Sequence, residues 1–249
     1  MQARYLAGDL EETCFAAHKI ALISGPRQCG KTTLAKLLLA ERGCGLYGNW
    51  DDPVFRRAWV KDPGAWARSV GASGGVLVLD ELHKARGWKR TLKGLYDTLE
   101  QPTDVLVTGS ARLNVYKKGG DSLLGRAFHF RLHPFSAAEL GNPKRPSTPE
   151  QTLHALTARR VSFSAERAEH MRRLLRFGGF PEPYLRGSER YAEMWRRSRT
   201  EKVIREDLHK PCVCLTVTRW RVNTNNVRTI IGALDTHNFR IWLHTNGDV

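Results

Sequence analysis

Gly25-Pro26-Arg27-Gln28-Cys29-Gly30-Lys31-Thr32-Thr33 is the stretch whose residue types and spacing can do chemistry. Two glycines bracket four residues and are followed by Lys-Thr, the G-x-x-x-x-G-K-[ST] pattern of a phosphate-binding loop. Glycine lets backbone N–H groups curl inward around an anion, where a Cβ would obstruct the phosphate oxygens. A helix beginning at Lys31 adds its own N–H groups and the positive end of its dipole. Lys31 can then reach the β- and γ-phosphates of a nucleotide as a point charge, and the Thr32 hydroxyl can take a place on Mg²⁺.

A glycine-rich turn with a stray lysine is the alternative, and the surroundings argue against it. Residues 19–24 read as a buried strand, Leu34, Leu37 and Leu38 share a helical face, and Gly43 marks that helix's end. The second chemical landmark is Gly74-Gly75-Val76-Leu77-Val78-Leu79-Asp80-Glu81. Four apolar residues without alternation suit a central parallel strand covered on both faces. A strand ending in Asp puts that carboxylate at the sheet's C-terminal edge, where open α/β sheets bind ligands. Asp80 is the candidate to hold Mg²⁺, directly or through water, and Glu81 can polarise the water that attacks a γ-phosphate.

Residues 104–110 form another buried run, ending in Thr108-Gly109-Ser110. If this strand lies between those ending at Ser24 and Asp80, Ser110 or Thr108 faces the γ-phosphate and its hydroxyl can sense it. A plain turn at Gly109 is the other reading. Arg126 precedes a last strand through Phe128, Phe130 and Leu132. It can reach a neighbouring subunit's γ-phosphate and stabilise transition-state charge, or it can bind an acidic residue of its own chain.

The elements that must position these groups follow from pattern. A lead-in helix precedes Lys19, with Leu6, Leu10 and Phe15 turned to the core. Gly45 to Trp50 forms a second strand, closed by Asp51-Asp52-Pro53, and residues 54–70 form two short helices broken at Asp62-Pro63-Gly64. From Leu82 the pattern is helical, with Trp88, Leu92, Leu95, Tyr96 and Leu99 as a core stripe stopped by Gln101-Pro102. Tyr116 to Gly120 reads as a basic loop.

Length and composition set bounds. A chain of 249 residues, 41% apolar, builds one large or two small cores. No apolar run is long enough to span a membrane, and no signal pattern opens the chain. Five cysteines without framework spacing predict a reducing cytoplasm. Cys29 is either redox-sensitive or simply a small filler in the loop. The net charge of +15 is compatible with nucleic-acid contact or with a solvated arginine-rich exterior. His129 and His133 lie about 13 Å apart along an extended strand, too far for one metal ion, and Cys212-x-Cys214 lacks partners at zinc spacing.

The ordered set Gly25–Thr32, Asp80-Glu81, Val107-Thr108-Gly109-Ser110-Ala111-Arg112 and Leu124-Gly125-Arg126-Ala127 resembles the AAA+ superfamily of ATPases. Pro134-Phe135-Ser136-Ala137-Ala138-Glu139-Leu140 and Gly178-Gly179-Phe180-Pro181-Glu182-Pro183-Tyr184 are similar to a widespread prokaryotic group within it. The resemblance covers residues 4–208. It implies an α/β fold of the P-loop NTPase type, a five-stranded parallel sheet of order 5-1-4-3-2 flanked by helices, and a small helical lid. It also implies ATP-Mg²⁺ binding and hydrolysis. The phosphate-binding, metal and water-activating roles carry over onto Lys31, Thr32, Asp80 and Glu81, and the sensing role onto Ser110.

The expected layout is an ATPase core over 1–141, a lid region over 142–209 and an atypical tail over 210–249. Asn142 to Ser147 is a linker, and Thr148-Pro149-Glu150-Gln151 carries good helix-start chemistry. A helix from Ser164 to Phe177 and a third from Ser188, burying Tyr191, Met194 and Trp195, follow. Arg186, Arg196, Arg197, Arg199 and Arg205 are all available to a nucleotide. The tail is either a shifted-frame or truncated remnant or a β-rich appendage, since Val213, Leu215 and Val217 alternate. The functional expectation is ATP hydrolysis driving a conformational change on an unknown protein partner. A nucleotide-gated binding module and a DNA-associated ATPase are the rivals, and assembly into an oligomer is open to all three.

Overall fold

The computed structural model describes residues 4–71, 74–99, 103–110, 113, 123–141, 150, 153–154, 157, 164–203, 228–230 and 242–244. The Gln101-Pro102 stop, Ala111-Arg112, the 116–120 loop, the 142–147 linker and the helix start at 148–149 and 151 lie outside the described residues. So do Arg205 and the alternation at 213–217 with its cysteines.

Five short strands form the centre: β1 (Ile20–Ser24), β2 (Gly45–Asn49), β3 (Gly75–Asp80), β4 (Thr103–Thr108) and β5 (Ala127–Arg131). All pair in parallel, in the order β2-β3-β4-β1-β5. This is the expected 5-1-4-3-2 arrangement of the α/β P-loop NTPase fold. Parallel pairing forces each connection to cross back over a face, so the inner strands β1, β3 and β4 are covered on both sides and are mostly apolar, while the edge strands β2 and β5 are only partly buried. Alternation then divides them between two cores. Ile20, Leu22, Leu77, Leu79, Val105 and Val107 face one side, while Ala21, Ile23, Val76, Val78 and Leu106 face the other.

The second core is closed by α1 (Leu6–Asp9), its π-helical continuation Leu10–Phe15, and α2 (Lys31–Arg42). Leu6, Leu10 and Phe15 are buried there, as expected, with Leu34 and Leu38. The first core is closed by α3 (Pro53–Lys61), α4 (Pro63–Arg68) and α5 (Trp88–Asp97). Asp52 and Asp62 cap α3 and α4 by accepting from the N–H groups of Val54 and Ala65, and a proline follows each cap. Proline is suited to the first helical position because its missing N–H is not needed there. Phe55, Trp59 and Trp66 meet edge to face or tilted, at centroid separations of 4.9 to 6.1 Å.

The helix expected from Leu82 is interrupted. Leu82–Lys84 is a single 3₁₀ turn, and α5 starts only after Gly87, which holds a left-handed conformation at φ 70°. Glu81 is left-handed as well, at φ 57°. The chain must turn sharply off the end of β3, and a helix cannot begin until that turn is complete.

Beyond the sheet come α6 (Ala137–Leu140), α7 (Ala165–Phe177) and α8 (Pro181–Arg186), the last a short helix that the sequence pattern did not separate. Ser164 caps α7, where the helix was expected to start. The chain divides into two compact units, Met1–Leu185 and Arg186–Val249. The second contains α9 (Glu189–Val203) and an antiparallel pair, β6 (Arg228–Ile230) with β7 (Trp242–His244). Met194 on α9 is exposed, against expectation, while Ala192 is buried and Tyr191 and Trp195 are partly so. Helical phase explains the difference, since Met194 lies about 100° round the helix from Trp195. No helix among the described residues is long and apolar enough to cross a membrane.

Candidate phosphate and metal site

The loop between β1 and α2 is set by close approach. A Cβ on Gly25 would lie 2.3 Å from the Leu132 carbonyl oxygen, so only glycine lets the chain pass there. Gly30 sits at φ 98° and caps α2 in the left-handed region, where it costs glycine little. Gly25→Ala is therefore expected to lower stability by roughly 1–3 kcal/mol, measured as a drop in thermal midpoint. Cys29 is fully buried, and burial raises its thiol pKa despite the nearby Lys31 and Arg4 charges. It fills space, and native protein should resist alkylation at this position.

Lys31 is nearly buried, and its Nζ donates to the carbonyls of Gly25 (3.0 Å) and Pro26 (2.8 Å). An ammonium has three donors, so one remains beyond this pair. Its charge is held inside the loop's curve. Thr32 follows on the first turn of α2 and donates from Oγ1 to Asp80 Oδ2 at 2.7 Å. The two residues predicted to hold a metal, 48 positions apart, are thus in direct contact.

Asp80 is almost fully buried and accepts from three hydroxyls. Thr32 and Tyr47 reach Oδ2, Tyr47 at 2.8 Å, and Thr108 reaches Oδ1. This all-oxygen set around a carboxylate suits a hard cation such as Mg²⁺, which keeps several waters and takes one or two carboxylate or hydroxyl ligands. Burial pushes the Tyr47 phenol up, and its bond to Asp80 adds to this, bringing it to about 12. Tyr47 therefore stays a donor across the physiological range. An alkaline absorbance titration of Tyr47→Phe should lose one phenol titrating near that value.

Tyr47 carries no motif, and sequence reasoning missed it. Only the β2–β3 register, which sets Tyr47 against Val78 and Asn49 against Asp80, brings it to the carboxylate.

Glu81 lies just past the strand edge, and its N–H donates to the Thr108 carbonyl at 3.0 Å. Its carboxylate is 3.3 Å from Lys84 Nζ and 3.8 Å from His83 Nε2. Lys84 is in turn held by both oxygens of Asp51. Burial pulls the Lys84 ammonium down, but the Asp51 and Glu81 carboxylates outweigh it and the group ends up raised.

β4 does lie between β1 and β3, as the sensing role requires. Thr108 is engaged by Asp80, while Ser110 Oγ lies 3.2 Å from His83 Nε2. A Cβ on Gly109 would come within 2.5 Å of His83 Nδ1, so this glycine lets the imidazole pass close to the backbone.

Arg126 is placed elsewhere. Its carbonyl accepts from Ile20 N–H at the start of β1, whereas the phosphate loop leaves the other end of that strand. The two ends are about 13 Å apart. Its guanidinium forms a two-pronged pair with Asp97, at 2.7 and 3.0 Å. Of the two roles open from sequence, this pair fills the one within its own chain.

A family model described as "AAA domain" matches residues 17–141, half of the chain. No curated protein sequence matches it. Among solved structures it is similar to AMPPCP-bound DnaA from Aquifex aeolicus, with 14% identity over 88% of this chain and 68% of that one, at a TM-score of 0.43. Replication initiator DnaA bound to AMPPCP and single-stranded DNA matches with 15% identity over 81% and 66%, at a TM-score of 0.45. A katanin structure describing self-assembly matches with 17% identity over 62% and 58%, at a TM-score of 0.37. The chain spans about two thirds of the two initiator chains.

Proposed function

The chain belongs to the AAA domain family, and from that premise we propose that it binds ATP with Mg²⁺ and hydrolyses it to ADP and phosphate. The contact between Thr32 and Asp80, next to Lys31 inside its loop, carries this reading. The loop from Gly25 through Thr33 would hold the phosphates by its backbone N–H groups, Pro26 having none and serving only to shape the loop, with the Lys31 ammonium as the charged clamp. Thr32 and Asp80 would hold the Mg²⁺, which supplies charge neutralisation on the phosphate oxygens. Tyr47 and Thr108 orient the Asp80 carboxylate.

Glu81 takes the role of orienting the attacking water and accepting its proton, and Ser110 senses the γ-phosphate. Phosphoryl transfer needs little covalent help, so positioning and electrostatic stabilisation do most of the work. In this reading residues 1–141 are the catalytic core and the helices over 142–209 act as its lid. Turnover drives a conformational change on a protein partner.

Arg126 faces away from its own phosphate loop, so any part it plays in catalysis is played on a neighbouring copy. Phosphate release measured across protein concentration tests activity and assembly together. Turnover per chain should rise with concentration, and Arg126→Ala should remove the rise. If wild type releases no phosphate above background at any concentration, the hydrolysis reading fails, and ATP uptake without turnover leaves a nucleotide-gated binding module. The net charge of +15 favours a DNA-associated version of the enzyme, for which DNA should stimulate turnover in a salt-sensitive way.

A further inference from the structure

Arg4 is nearly buried, although it stands only two residues ahead of α1. Its guanidinium reaches three separate parts of the chain. Nε donates to Glu139 Oε1 at 2.6 Å, Nη1 to the Cys29 carbonyl at 2.6 Å, and Nη2 to the His133 carbonyl at 2.6 Å. The Phe135 ring covers it, with the guanidinium carbon 4.8 Å from the ring centroid. Glu139 is equally enclosed and also accepts from Tyr5 N–H at 3.1 Å. A buried charge held this fully has its desolvation offset by pairing and hydrogen bonds.

The contact with Cys29 acts on the loop itself. The Cys29–Gly30 peptide is trans, as are all described peptide bonds. In a trans peptide the C=O and the following N–H point in opposite directions. Drawing the Cys29 carbonyl to Arg4 therefore turns Gly30 N–H away from the guanidinium. The same Nη1 would lie 3.0 Å from a Cβ on Gly30, so the guanidinium backs directly onto this residue.

We propose that Arg4 is a positioning residue of the phosphate loop: it holds the Cys29 carbonyl outward so that Gly30 N–H faces a bound phosphate. This rests on the nucleotide-binding reading above and adds to it a group from outside the loop's own sequence. Orientation is the operative effect. Glu139 already balances the Arg4 charge, and a lysine at this position would keep the charge while its donors, all on one nitrogen, could not reach acceptors spread around the three nitrogens of the planar guanidinium.

The test uses the full chain and fluorescent ATP with Mg²⁺, comparing wild type, Arg4→Lys and Glu139→Gln, with thermal midpoints taken alongside. Arg4→Lys should raise Kd at least tenfold. Glu139→Gln, which loses the ion pair but keeps the bond to Cys29, should stay within about threefold. The proposal is overturned if Arg4→Lys binds within threefold of wild type, or if both variants weaken binding equally, which is the signature of general loosening.

A measurement on wild type covers the case in which Arg4→Lys does not fold. With glycine-selective ¹⁵N labelling, the Gly30 amide should shift strongly when Mg²⁺ and ATP are added, and an unmoved Gly30 amide refutes the idea. Failure of wild type to bind fluorescent ATP at all counts against the nucleotide-binding reading, and this one with it.

Discussion

Lys31→Ala is expected to abolish nucleotide binding. Its ammonium is already held within the loop by the Gly25 and Pro26 carbonyls, with little exposure to water. A phosphate entering the loop meets that charge without the side chain having to be ordered first. Hydrogen bonds to charged groups contribute about 1.5–3 kcal/mol each, so losing the one donor left for a triphosphate weakens affinity by roughly one to two orders of magnitude, and losing the ammonium's charge weakens it further. The substitution also leaves two carbonyls without their donor and so loosens the loop. Calorimetric titration with Mg²⁺ and ATP at up to millimolar concentration is the check. Uptake by Lys31→Ala as tight as by wild type would exclude the loop as the phosphate site.

Glu81→Gln should give the opposite split, with ATP bound as before and turnover lost. Glutamine has nearly the same shape, can keep a hydrogen bond to Lys84, and leaves the Glu81 N–H on the Thr108 carbonyl. What it cannot do is accept a proton. General-base assistance contributes typically 10²- to 10⁴-fold, so single-turnover phosphate release should fall within about that range. Comparable rates for the two proteins would remove Glu81 from the chemistry. They would point instead to its ion pair with Lys84 and the Asp51 contact as a purely structural arrangement.

The legible part of this molecule was whatever local spacing determines. The glycine positions, the lysine after them, the strand ending in Asp80, the breaks at Asp51-Asp52-Pro53 and Asp62-Pro63-Gly64 and the helix start at Ser164 all act within a few residues of themselves. The sheet order came with the resemblance and could not be read from periodicity. What stayed hidden depends on register and on long-range return of the chain. Tyr47 is an aromatic residue in a five-residue strand, and only its pairing beside β3 makes it a donor to Asp80.

Arg4 and Glu139 are 135 positions apart, and nothing near either names the other. The turn after β3 is hidden for a related reason. The apolar pattern from Leu82 is helical, but the geometry of leaving the sheet edge at Glu81 overrides it until Gly87.

The position of β1 in the sheet also has a consequence for biosynthesis. The strand that carries the phosphate loop pairs only with β4 and β5, never with the strand made next after it. At about 5–20 residues per second, the ribosome needs roughly 4–17 s after completing β1 to supply its first partner, about 85 residues further on. Through that interval Ile20-Ala21-Leu22-Ile23 is an unpaired, wholly apolar segment, open to chaperones and to other nascent chains. The most chemically important strand of the protein is therefore among the last to be secured as the chain emerges.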